Sequence, residues 1–132
     1  MTVAFAFAVA AQSASTDAVQ HAAQTVAILH DSMLDPPSFV LDGAYVTKPN
    51  KKGVVAYCYA FRSHNTMGGY SEERAVEDPL DHGKLETITP AADGAFLGYD
   101  VGWFAPCKAK NFAADLTAQV QTAAPALYKK TR

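Results

Sequence analysis

Two adjacent prolines, Pro36 and Pro37, split the chain into stretches with different hydrophobic periods, and that break limits the folds open to it. Ahead of it, Val19, Ala22, Ala23, Val26, Leu29 and Met33 recur at spacings of three and four, which lays one apolar stripe along a helix. Gln20, His21, Gln24 and Asp31 fall largely on the opposite side. Ser15, Thr16 and Asp17 offer an N-cap and a first-turn acid, so the helix is predicted to begin there. It must end by Asp35, because a proline disfavours helical geometry in the residue before it.

Beyond the prolines the period becomes two. Residues 38–47 read as a strand interrupted at Asp42-Gly43 by a bulge or tight bend. Residues 48–53 are turn material, and 54–63 form the clearest strand in the chain. Its alternation puts Val55, Tyr57, Tyr59 and Phe61 on one face and Val54, Ala56, Cys58, Ala60 and Arg62 on the other. That division predicts a helix packed across the small-residue face. Asn65-Thr66-Met67-Gly68-Gly69 turns the chain into a strand over 70–76, with shorter strands expected at 85–89 and 95–104. Phe112, Leu116, Val120 and Ala123 then follow helical spacing, with Asn111 as cap and Pro125 as terminator. The order helix, four or five antiparallel strands, helix predicts an α+β domain with both helices on one face of the sheet.

At 132 residues the chain has room for one domain, and an apolar share of 49% can build its core. Eleven basic residues against thirteen acidic ones give a net charge of −2 and no basic face, which argues against a nucleic-acid partner. No charge occurs before Asp17, and residues 3–11 are an apolar run of Ala, Phe and Val. Such a run is too short to span a bilayer, which takes about twenty residues. It has the size of a secretory apolar region, and Ala8-Val9-Ala10 and Ala11-Gln12-Ser13 fit the small-x-small pattern of a cleavage site. No basic residue precedes it. We expect residues 1–13 to be a signal-peptide remnant, 14–132 to be the domain, and the protein to be secreted or periplasmic. The other reading of the alternation at 3–9 is a buried first strand. Cys58 and Cys107, an even pair in a small chain, agree with export and are expected to form a disulfide. The loop it closes would contribute roughly 4 kcal/mol by chain entropy. The spacing of the two cysteines does not suit zinc, and His21, His30, His64 and His82 share no ligand spacing, so neither a metal nor a cofactor is expected.

Asp35-Pro36-Pro37-Ser38-Phe39, followed by the run from Tyr57-Cys58-Tyr59 through Asn65-Thr66-Met67-Gly68-Gly69-Tyr70, resembles small exported bacterial proteins of uncharacterised function. These carry an Asp-Pro-x-Ser-Phe segment after a helix and a Cys-bearing strand leading into Asn-x-x-Gly-Gly-Tyr. The likeness covers roughly residues 26–76, with a looser match at Pro106-Cys107-Lys108-Ala109-Lys110. It implies an exported α+β domain and brings no activity with it.

The densest polar group is Arg62, His64, Asn65, Tyr70, Glu72, Glu73 and Arg74, which pairing of the two strands would gather around one turn. As an enzyme, the chain would use His64 and Glu72 as an acid/base pair, with Arg62 or Arg74 holding an anionic group. Otherwise these residues are cross-strand ion pairs, and Asn65 ties the turn. Tyr57, Tyr59, Phe61, Tyr70, Tyr99, Trp103 and Phe104 form a second group; if the sheet face that carries them is uncovered, it would take a ligand or partner. The reading we favour is a non-enzymatic exported module that binds an unidentified protein or small ligand on a sheet face or at the 62–74 turn. Its rivals are the small enzyme and a self-associating envelope protein, and the sequence leaves monomer and dimer equally open.

Overall fold

The computed structural model describes the backbone of residues 2–78, 84–88, 107 and 110–130, and the side chains of 16–77, 107 and 110–130. A long helix, α1 (Thr2–Ser32), opens the chain. A single 3-10 turn (Pro36–Ser38) leads into β1 (Val40–Thr47), β2 (Tyr57–His64), β3 (Tyr70–Asp78) and β4 (Lys84–Ile88). A short strand, β5 (Phe112–Asp115), runs into helix α2 (Thr117–Ala123) and a closing 3-10 turn (Ala124–Leu127). The strands form one antiparallel sheet in the order β4-β3-β2-β1-β5, so this is an α+β fold.

The predicted bulge is present. Leu41 pairs with Phe61 and Gly43 with Ala60, which leaves Asp42 outside the ladder. A Cβ at position 43 would lie 2.7 Å from the Tyr45 ring, so any other residue there would require that ring to shift.

Three expectations are corrected. Backbone helix runs unbroken from Thr2, so Ser15-Thr16-Asp17 is not a helix start and residues 3–9 are not a strand. Among the described side chains, Ala18 and Val19 are the first packed into the core. Phe112 belongs to a strand and not to the last helix, which is shorter than its spacing implied. The outer edge of β1 takes β5 as its partner, and Phe112 stacks on Tyr45 at 4.5 Å. The helix then starts behind Asp115, whose carboxylate accepts the Thr117 N–H at 2.9 Å. The strand expected at 95–104 lies outside the described residues.

The third correction concerns the faces. Helix α1 covers the aromatic side of β2 and not its small-residue side. Tyr59 and Phe61 are fully buried with Ala22, Ala23, Val26, Leu29, Leu41, Ala44 and Ala75, and α2 adds Leu116 and Val120. The cause lies in the helix: its inward residues are small, so the strand must supply the bulk for close packing. On the other side the small residues leave room for Cys107. Cys58 and Cys107 are joined by a disulfide with Cα atoms 5.8 Å apart, both buried with Val76 and flanked by Tyr45 and Phe112. A disulfide fits an oxidising compartment. Among the described residues no helix is long and apolar enough to cross a membrane.

Candidate functional site

The end of the sheet where β2 passes into β3 gathers most of the polar residues singled out above. The strands are in register from Tyr57 opposite Glu77 to His64 opposite Tyr70. Asn65 closes the turn: its Oδ1 accepts the backbone N–H groups of Met67 at 2.9 Å and Gly69 at 3.2 Å, and its Nδ2 donates to Ser71. Gly68 sits at φ +84°, a left-handed conformation that glycine adopts without steric cost. Asn65 is therefore a turn residue.

His64 is paired with Asp35, not with Glu72. Its Nδ1 lies 3.1 Å from Asp35 Oδ2, and because a carboxylate can only accept, the proton sits on Nδ1. Ser38 holds the two segments together. Its hydroxyl donates to the Asp35 carbonyl at 2.6 Å and accepts the His64 N–H at 2.8 Å. Asp35-Pro36-Pro37-Ser38 is thus a clamp on the end of β2, which the 3-10 turn aims at the histidine. Glu72 stands opposite Arg62 in the ladder and is exposed. The acid/base pair envisaged from sequence is not assembled.

Arg62 is already engaged. Its Nε and Nη2 donate to the two oxygens of Asp42 at 2.9 and 3.1 Å, a bidentate pair made possible by the bulge. This pairing keeps the Arg62 guanidinium protonated, with its pKa raised above the ordinary value. Its guanidinium carbon also lies 5.5 Å from the centre of the Tyr70 ring, and the His64 ring lies 4.4 Å from Tyr70 on centroids. Tyr70 keeps half its surface exposed, and Met67 at the tip is 91% exposed. Arg74 donates to the Glu73 carbonyl beside it on the same strand. Trp103 lies outside the described residues, as do Tyr99 and Phe104. Since Tyr59 and Phe61 are buried under α1, the expected aromatic sheet face is not open there. A cavity of about 340 Å³ adjoins the hairpin, lined by Met33, Leu34, Ser63, His64, Thr66 and Glu73 among others.

Sequence reasoning missed a second polar group, set between α1 and β3. Glu77 accepts hydrogen bonds from the Tyr59 hydroxyl at 2.7 Å, the Thr25 hydroxyl at 2.8 Å and His21 Nε2 at 3.1 Å. Burial, followed by the nearby Glu77 charge, pushes the Tyr59 pKa far up, so Tyr59 stays a neutral donor. Tyr57, stacked 4.5 Å from His21, is raised for the same two reasons. One signal was readable: Thr25 is a polar residue on the apolar stripe, 5% exposed, and a buried hydroxyl needs a partner.

A third group ties the C-terminus to α1. His30, 4% exposed, stacks on Tyr128 at 3.6 Å and donates from Nδ1 to Asp31 at 2.9 Å. Asp31 also accepts the backbone N–H groups of Lys129 and Lys130. The His30 bond, aided by these amides, lowers the Asp31 pKa below its usual value. Among the described residues no group of three or more His, Cys, Asp or Glu is placed to hold a metal ion. Compared with protein-family models, curated proteins and solved structures, the chain shows no match.

Proposed function

We propose that this protein is an exported, disulfide-closed binding module that recognises a protein or small ligand through the end of its β2–β3 hairpin. The observation that carries the reading is the pairing of exposure with rigidity at Tyr70. Its ring is half exposed, yet it rests against His64 and Arg62, each fixed by its own carboxylate. An aromatic residue held in place loses little freedom on binding, which is the property of an interface anchor. Met67 beside it adds an adaptable apolar contact. A catalytic reading gains no support from Glu72, which faces Arg62 across the ladder. Export rests on the uncharged apolar start of the chain and on the Cys58–Cys107 bond.

The test is a photo-crosslinking residue introduced at position 67, with position 17 on the exposed side of α1 as control, in a bacterial host expressing the whole chain. The expected result is a discrete adduct outside the cytoplasm from position 67 alone, lost when Tyr70→Ala is added. Equal labelling from both positions, or a chain retained in the cytoplasm with its first residues intact, would contradict the reading.

A further inference from the structure

A different part of the molecule supports a second binding site. Helix α1 and the C-terminal 3-10 turn border a cavity of about 560 Å³, within the range of about 300–1,000 Å³ typical of small-molecule sites. Its apolar lining comes from Ala27, Ile28 and Leu127. Ile28 is 62% exposed and Leu127 39% exposed, so the core does not account for either side chain. They project from two different elements onto one groove, and that convergence separates them from the scattered apolar residues of any surface.

The polar end of the groove is cationic. Lys129 and Lys130 line it, and among the described residues neither ammonium forms an ion pair. The carboxylate in the lining, Asp31, is already committed to His30 and to the backbone N–H groups of the two lysines. Its bonds fix the lysine backbones in place and, among the described residues, leave the two ammonium groups without a carboxylate partner. Among the described lining residues, one carboxylate stands against two ammonium groups, so the lining carries a net positive charge.

We infer that this groove binds a free single-chain amphiphile with an anionic head, of the fatty-acid class. The alkyl chain lies along Ala27, Ile28 and Leu127, and the carboxylate meets the ammonium groups of Lys129 and Lys130. An apolar floor with a small number of placed charges is the usual construction of such a site. A zwitterionic or cationic head would gain nothing from the lysines, so discrimination by head charge is the property to look for.

The experiment is an NMR titration of the whole chain with sodium decanoate, kept below the concentration at which it forms micelles. Decyltrimethylammonium serves as the matched cationic probe, and phosphatidylglycerol vesicles as the membrane arm. Saturable shifts at the Ala27, Ile28 and Leu127 methyls are expected with decanoate and not with the cationic probe. The double variant Lys129→Gln/Lys130→Gln should weaken binding by about tenfold or more, as loss of charge-assisted bonds implies. Ile28→Ser changes an exposed side chain, should leave the fold intact, and should also weaken binding. Three results would overturn the inference: decanoate shifts that do not saturate, equal affinity for the two head groups, or response to the vesicles alone.

Discussion

On the helix side of the sheet, Tyr59 and Phe61 sink into a layer of small residues from α1, and Leu116 and Val120 close the layer from α2. On the other side, Cys58 and Val76 share their burial with Cys107, flanked by Tyr45 and Phe112. Among the described residues, the first face is held by many interlocking side chains, the second by a small cluster built around a disulfide. The helix side rests on packing alone, whereas the far side, among the described residues, also answers to the redox state of its cysteine pair. The difference also shows where the molecule keeps polar groups. Glu77 is tolerated beneath α1 only because three donors converge on it. Arg62, His64 and Tyr70, at the end of the far side, keep much of their surface in water.

The largest effect should come from the helix side. Phe61→Ala removes a side chain with no exposure, leaves a cavity in the core and is expected to cost about 3–5 kcal/mol in urea unfolding. Replacing both Cys58 and Cys107 by Ala should cost about 2–4 kcal/mol, chiefly by freeing the unfolded chain. If the cysteine variant proves clearly the less stable of the two, the far side and not the helix layer is the main support of the fold. Tyr59→Phe removes one donor and leaves Glu77 with Thr25 and His21, for an expected loss of about 1–2 kcal/mol. A loss no greater than the measurement error would mean that water replaces the hydroxyl and the layer is not closed there.

The C-terminal tie makes a pH prediction. The Asp31 carboxyl sits below its ordinary value of 3.8 in the folded chain, so the folded state favours its ionised form. The stabilisation this gives is complete above the unfolded pKa and is lost as pH falls through the lowered folded one. Asp31→Asn should therefore be less stable than the parent at neutral pH by an amount that shrinks in acid. A gap that stays constant to low pH would show that the Asp31 charge does not hold the tail.

Much of this architecture was legible because local chemistry and tertiary need agreed. Pro36-Pro37 ends the helical period, Asp42-Gly43 makes the bulge, and Asn65 with Gly68 makes the turn. Where they diverged, spacing misled. Phe112, Leu116 and Val120 keep helical intervals, yet the open edge of β1 draws Phe112 into a strand. The alternation in β2 located its two faces correctly, but which one a helix covers depends on the bulk of the helix's own inward side chains. At the candidate site, the cluster around the turn could be read from its density in the sequence. Its actual partners could not: Asp35 reaches His64, and Asp42 reaches Arg62, across separations that periodicity does not encode.

The smallest expected effect bears most directly on the central claim, that the fold does not need the hairpin end and that this end is free for recognition. The measurement is urea unfolding of Tyr70→Ala combined with Met67→Ser, beside the parent chain. Both side chains are at least half exposed, so the two curves should agree to within about 0.5 kcal/mol, as for surface substitutions elsewhere. A loss of about 2 kcal/mol or more would contradict the claim, and would make Tyr70 a structural member of the sheet with no surface to spare for a partner.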